Sequence, residues 1–210
     1  MLKRIIRAIC LFTVPIFVIA SSEEGLSRDD DMSLGVWITV FSNEKVLESK
    51  ANIDRMLSVC ERSGITDVYM QIYRADKAYF DSSLTDASPY LALKERSGVD
   101  PLRYLIDRAA RKGIRVHAWL NLLCISQNDK ANIIAKFGEG ILTRDQHGRT
   151  PLPSPKDQWD KYYIREDQLF LEPGDWRVRE YVTSLAEEVV RNYPGLAGLH
   201  LDYIRYPAAV

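Results

Sequence analysis

From Gly35 onward the chain repeats one pattern, in which a short apolar run is followed by an amphipathic segment, a glycine and another apolar run. The apolar runs have the length and composition of strands, and the amphipathic segments have the spacing of helices. Alternation of strands with helices predicts a parallel sheet in an α/β fold. The four predicted strands are Val36 to Phe41, Asp67 to Tyr73, Arg115 to Leu122 and Gly198 to Tyr203.

Three helices between these strands are predicted from their spacing and their end signals. The apolar stripe of the first helix is Ile53, Met56, Leu57 and Cys60. Asp100, followed by proline at the first helical position, predicts the start of the second helix. Asp175 predicts the start of the third, which ends before Pro194.

Alternation of side chains within the strands distinguishes a barrel from an open sheet. One set of alternate positions is aliphatic, whereas an open sheet with helices on both faces would be aliphatic at both sets. A barrel instead has helices outside and a lumen inside, so the pattern favours a (β/α)8 TIM-barrel type. The polar and aromatic set predicted to face the lumen is Trp37, Thr39, Gln71, Tyr73, His117, Trp119, Asn121, His200 and Asp202.

The number of strands is too small for a closed barrel. Eight strands and about 250 residues are usual, and this chain of 210 residues contains only the first four strands. We expect residues 35–210 to be the N-terminal half of a barrel, as a fragment or a truncated reading frame. Dimerisation is the alternative, because natural proteins avoid open sheet edges.

The first residues differ in kind from the rest. Basic residues precede an apolar run that ends with small residues at Val18 and Ala20, which predicts a signal peptide over residues 1–20. Residues 21–34 form a polar leader. We expect a secreted, periplasmic or cell-envelope protein without a stable membrane span after cleavage, an uncleaved N-terminal anchor being the alternative. Cys60 and Cys124 fall at opposite rims of the predicted barrel, too far apart for a disulfide.

Composition narrows the partners. With a formal net charge of −1, the chain lacks the basic surface that nucleic acid requires. The sequence contains no metal-ligand spacing and no cofactor motif, so we expect neither a bound metal ion nor a cofactor. A metal site formed by His117, His200 and Asp202 is an unsupported alternative. The oligomeric state stays open.

Barrel chemistry is expected at the carboxyl ends of the strands and in the loops that follow them. The richest such segment is "HLDYIRYP", in which Asp202 has Tyr203 and Arg205 beside it. A carboxylate among aromatic rings suits acid, base or nucleophile chemistry on a sugar, although an aspartate here could merely anchor a loop. Asn121 ends the neighbouring strand and could bind a sugar hydroxyl. The long connection from Leu123 to Glu172 carries Trp159, which either lines a glycan groove or pins the loop.

Three stretches carry a resemblance to a known family: "GVWITVF", "DPLRYLIDRAARKGIRVHAWLN" and "LEPGDWRVREYVTSLAEEVVRNYPGLAGLHLDYIRYP". Together they resemble glycoside-hydrolase-like family 10, which consists of exported bacterial barrel proteins that include cell-envelope glycan hydrolases. The resemblance implies endo-acting glycosidase chemistry, on polysaccharide or on the glycan strands of peptidoglycan, with Asp202 as the acidic residue of the fourth strand. The residues considered for substrate binding are Trp37, Tyr73, Arg74, Trp119, Asn121, Trp159, His200, Tyr203 and Arg205.

The sequence departs from the family pattern at several of these positions. Glu172 stands where relatives often carry asparagine, and Tyr203 stands where a second aspartate is usual. "QIYRADKAYF" replaces an Arg/Gly-rich segment, which leaves the roles of Tyr73 and Arg74 open. Glycosidases need two carboxyl groups, and the later strands that would supply the partner of Asp202 are missing. We therefore expect no glycosidase activity from this chain. The alternatives are a glycan-binding module without catalysis and a remnant that misfolds.

Overall fold

The structure, a computed structural model, describes residues 33–152, 154–155 and 168–207. The predicted signal peptide, most of the leader and Trp159 lie outside these residues. The strands are β1 (Gly35–Ile38), β2 (Asp67–Arg74), β3 (Lys77–Ala78), β4 (Arg115–Asn121), β5 (Cys124–Ser126), β6 (Leu169–Phe170) and β7 (Gly198–Asp202). The α-helices are α1 (Lys50–Arg62), α2 (Ser88–Ser97), α3 (Pro101–Ala110), α4 (Asn132–Phe137) and α5 (Trp176–Asn192).

The main sheet has the strand order β1-β2-β4-β7, and all three pairings in this order are parallel. All four predicted strands are therefore confirmed, joined in the sequence order that a barrel requires. The short β3 adds to β2 in the antiparallel direction. β1 ends three residues earlier than predicted because the chain turns there, with the Ser42 amide donating to the Thr39 carbonyl at 3.1 Å.

The aliphatic face of the sheet and the helices form one core, as the alternation predicted. On β2 and β4 this face contributes Val68, Met70, Val116, Ala118 and Leu120, each at most 3% exposed. The helices contribute their apolar stripes, of which Ile53, Leu57, Leu102, Leu105, Val178, Leu185 and Val189 are fully buried. Because these stripes cover the aliphatic face, the opposite face of the sheet is the one available for a functional site.

The two predicted helix starts are confirmed by their caps. The Asp100 carboxylate accepts a hydrogen bond from the Arg103 amide, and the Asp175 carboxylate accepts one from the Arg177 amide. Hydrogen bonds from the Arg177 side chain are the main reason that the pKa of Asp175 falls to about 2. None of the helices in the described residues has both the length and the apolar character needed to cross a bilayer.

Several short elements were not predicted. α2 has little amphipathic character, and α4 and the β5–β6 hairpin are only a few residues long, so periodicity gives almost no signal for them. The hairpin pairs the start of the long connection with its end. Cys60 on α1 and Cys124 in β5 are both buried, and no disulfide joins them, as expected.

The barrel is not closed by the described residues. No strand in them pairs with the outer edge of β1 or of β7. A groove of about 420 Å³, lined in part by Val36, Met56 and Val59, lies between β1 and α1. A groove of about 390 Å³, lined in part by Val190 and Leu199, lies between α5 and β7. A closed barrel would continue at these two surfaces.

Candidate active site

The carboxyl ends of β1, β2, β4 and β7 meet along one rim, and their polar and aromatic side chains share the face that none of the described helices covers. This is where barrel enzymes place their reacting groups. Asp202, the last residue of β7, pairs in register with Asn121, the last residue of β4. The two strongest candidates from the sequence are thus brought side by side.

The carboxylate of Asp202 is held in a defined orientation. The indole N–H of Trp119 donates to Oδ2 at 2.9 Å, and the backbone N–H of Tyr203 donates to Oδ1 at 2.7 Å. Tyr203 has φ +53°, a left-handed conformation that turns the chain away from the sheet directly after the carboxylate. Asp202 is only partly buried, so it keeps access to solvent and to a ligand. Trp119 therefore positions the carboxylate.

A row of hydrogen-bonded amides continues from Asn121 across the rim. The amide N–H of Gln71 donates to Asn121 Oδ1 at 3.3 Å, and Gln71 Oε1 accepts from the Thr39 hydroxyl at 2.7 Å. Gln71 is 2% exposed and Asn121 7%. Gln71 was assigned to the lumen face from the sequence but not to the site, because alternation predicts direction and not pairing.

An aromatic layer lies further down the same face. Trp37 stacks on Tyr69 with ring centroids 4.5 Å apart, and Tyr69 stacks on His117 at 4.6 Å. The indole N–H of Trp37 donates to Nε2 of His200 at 3.3 Å. Trp37 is 53% exposed, and its ring is open on this face. Trp37 and His200 therefore form a platform below the Asp202 rim.

The prediction that Tyr73 contacts substrate is wrong. Tyr73 is fully buried, and its hydroxyl donates to Asp76 at 2.9 Å. The register between β2 and β4 shifts between Gln71 and Tyr73, so that Tyr73 pairs with Leu120 of the aliphatic set. A bulge of this kind inserts one residue and reverses the faces beyond it. Alternation alone could not have revealed it.

Three other candidates do lie at the rim. Arg74 places its guanidinium over the ring of Phe41, 4.8 Å from the centroid. Tyr203 contacts Phe170 of β6 at a centroid distance of 6.3 Å, and the guanidinium of Arg205 lies 5.0 Å from the Tyr203 ring. The loop after β7 thus packs on the β5–β6 hairpin, which the sequence did not predict.

Glu172 is a second carboxylate at this rim, and the sequence left it without a role. Its Oε1 accepts hydrogen bonds from the Gly174 amide and from the Tyr206 hydroxyl, both at 2.9 Å. The bond to Glu172 is the main reason that the pKa of Tyr206 is raised. Glu172 therefore ties the segment before α5 to the loop that follows Asp202. Within the described residues no cluster of three His, Cys, Asp or Glu side chains could hold a metal ion.

Comparison with known proteins identifies relatives among glycosyl hydrolases. Residues 33–210 match the family described as "Glycosyl hydrolase-like 10". The glycosyl hydrolase DigH of Escherichia coli strain K12 is 31% identical over 158 residues, which are 74% of this chain and 34% of that protein. The glycosyl hydrolase YngK of Bacillus subtilis strain 168 is 26% identical over 98% of this chain and 39% of that protein. The chain spans little more than a third of these curated relatives.

Solved structures with the same fold include glycosidases. Alpha-L-fucosidase isoenzyme 2 from Paenibacillus thiaminolyticus superposes with a TM-score of 0.57 at 17% identity, covering 85% of this chain and 24% of the fucosidase. A hypothetical protein from Ruminiclostridium thermocellum gives 0.54 at 15% identity, covering 82% of this chain and 78% of the other. At such identities the likeness concerns the fold, which is of the TIM-barrel type as predicted.

Proposed function

Because the chain belongs to the glycosyl hydrolase-like 10 family, we propose that it acts on a glycan of the cell envelope, such as the glycan strands of peptidoglycan. The observation that supports this best is the Asp202 carboxylate, held by the Trp119 and Tyr203 N–H groups beside Asn121. Export, predicted from residues 1–20, belongs to the same proposal, since an envelope glycan lies outside the cytoplasm.

In this proposal Asp202 supplies one of the two carboxyl groups that hydrolysis of a glycosidic bond requires. Such a group protonates the leaving oxygen, activates water or attacks the sugar carbon, and the second group performs the complementary step. The amide row of Asn121 and Gln71 offers partners for sugar hydroxyls, and exposed aromatic rings offer surfaces for the apolar faces of sugars. The partner carboxyl group is expected from barrel strands beyond β7.

The first test is turnover by the 210-residue chain. We expect that incubation with purified peptidoglycan strands releases no new reducing ends, because this proposal takes the second carboxyl group of the pair from barrel strands beyond β7. A reducing-end assay checks this, and the Asp202→Asn variant is its matched control. Release of reducing ends by the wild type that disappears in Asp202→Asn would show that the chain is complete for catalysis.

Glycan binding without turnover is the second candidate function, favoured by the platform of Trp37 and His200, in which the Trp37 ring is exposed. We expect the chain to be retained by immobilised glycan strands, and Trp37→Ala to weaken binding about tenfold by removing one sugar-stacking surface. Trp176→Ala is the matched control, because Trp176 is 64% exposed at the start of α5 and does not belong to the platform. An equal loss of glycan binding in both variants would contradict a role for the platform. So would the absence of glycan binding in the wild type and in both variants.

A further inference from the structure

A separate pocket of about 200 Å³ lies at the same rim, where the β2–β3 hairpin meets the chain that follows β1. Arg74 ends β2 and pairs in register with Lys77, which begins β3. The pocket therefore opens at the carboxyl end of the sheet, two strands away from Asp202. Its lining residues are Phe41, Arg74, Ala75, Lys77, Tyr79 and Ser126.

Arg74 is a positive charge without a carboxylate partner among the residues that the structure describes. Other arginines on the strands and helices around it do form close ion pairs, such as Arg108 with Asp54 and Arg115 with Asp67. The Arg74 guanidinium instead lies over the face of Phe41. Stacking on the ring holds the guanidinium in place and leaves the donors at its edge available. Lys77 adds a second charge, partly offset by Asp86 at 3.9 Å.

The backbone beneath the pocket is held in an unusual conformation. Ala75 and Asp76 have φ of +56° and +58°, and Ser126 on the opposite wall has φ +52°. The buried Asp76 side chain anchors this turn, and Asn128 donates to the Ala75 carbonyl at 2.7 Å. Left-handed non-glycine residues cost free energy and are often found where a site must be rigid. The turn therefore presents Arg74 in one fixed place.

We propose that this pocket binds a carboxylate carried by a sugar unit of the glycan, so that the site prefers acidic glycans. This inference rests on the proposed function. A guanidinium presents a planar pair of donors that matches the two oxygens of a carboxylate. A neutral hydroxyl cannot form this paired, charge-assisted contact. β2 and β7 are separated by two strand spacings, about 10 Å. The acidic sugar unit in the pocket is therefore a near neighbour, along the glycan chain, of the sugar bound at Asp202. The carboxylate is that of a uronic acid or the lactyl group of a muramic acid freed of peptide.

The test compares glycans that differ only in the carboxylate. Binding of the 210-residue chain at low salt is measured for polygalacturonate and its methyl ester, and for peptide-free peptidoglycan strands with free or amidated lactyl groups. A neutral chitin oligosaccharide completes the set. We expect about tenfold tighter binding of the free acid in at least one pair, as one charge-assisted contact would give. The pair that shows the preference identifies the source of the carboxylate.

Variants then assign the preference to the pocket. Arg74→Gln should reduce binding of the free acid to the level of its neutral counterpart, whereas Arg62→Gln, a change at an exposed arginine at the end of α1, should keep the preference for the free acid. Glycan binding by the wild type without any preference for the free acid would overturn the inference alone. A preference that persists in Arg74→Gln would also overturn it. No binding of any glycan would overturn the proposed function as well.

Discussion

Replacing Asp76 with alanine will lower the free energy of unfolding by about 3–5 kcal/mol. Asp76 is fully buried, and its Oδ1 accepts hydrogen bonds from the hydroxyls of Tyr73 at 2.9 Å and Tyr181 at 2.6 Å. Thr85 and the amide of Ile133 complete the network. Alanine leaves two buried tyrosine hydroxyls and a backbone amide without an acceptor, and each costs free energy that no other contact offsets. Urea denaturation, followed by circular dichroism, measures the loss.

Two further variants distinguish the loss of the Asp76 hydrogen bonds from the effect of the positive φ at residue 76 and from the removal of any aspartate. Asp76→Asn keeps an acceptor of the same shape and tolerates the positive φ, so it should lose markedly less than the alanine variant. Asp107→Ala, at an exposed position on α3, should stay within about 0.5 kcal/mol of the wild type. A loss in Asp76→Ala of under about 1 kcal/mol would contradict the network. The same experiment tests misfolding, because a cooperative transition in the wild type requires a folded core.

The fold could be predicted from the sequence wherever several local signals agreed. Each long helix has a cap residue or an apolar stripe, and each long strand alternates, so propensity and pattern point to the same element. The Tyr73 bulge is the instructive failure. Its cause is a tertiary network, in which Asp76, Thr85 and Tyr181 draw the tyrosine hydroxyl toward the helix side. No feature of the β2 sequence by itself indicates that this network reverses the direction of the Tyr73 side chain.

The position of the candidate site in the fold could be predicted from the sequence, but the hydrogen bonds between its side chains could not. Strand-end logic brought Asp202 and Asn121 to one rim correctly, since parallel strands in register end together. The roles of the side chains depend on contacts between distant segments. Trp119 donates to Asp202, and Glu172 accepts from Tyr206, 34 residues further along the chain. Such pairings follow from register and loop packing, which a single sequence does not encode in any short window.

At the opposite end of the sheet, Asp67 will make stability depend on acid. Asp67 is 3% exposed and accepts hydrogen bonds from the Arg115 side chain at 2.6 and 2.7 Å, from His117 at 2.8 Å and from Thr66 at 2.7 Å. Ser33, just before β1, donates as well, so the carboxylate links three strands. Chiefly because Arg115 donates to both oxygens, the pKa of Asp67 lies well below its ordinary value.

A carboxyl group with a lowered pKa in the folded state stabilises that state when ionised, fully above about pH 4 and progressively less as the pH falls through the acid range. We expect the free energy of unfolding of the wild type to fall between about pH 4 and pH 2, and Asp67→Asn to remove about 2 kcal/mol of that fall while being less stable than the wild type at pH 7. Urea denaturation at a series of pH values measures both. Asp107→Asn should keep the wild-type profile, because its side chain is exposed on α3. Parallel profiles for wild type and Asp67→Asn would mean that the Asp67 network contributes nothing to acid sensitivity. In that case the three strand starts would be held by backbone pairing and core packing alone.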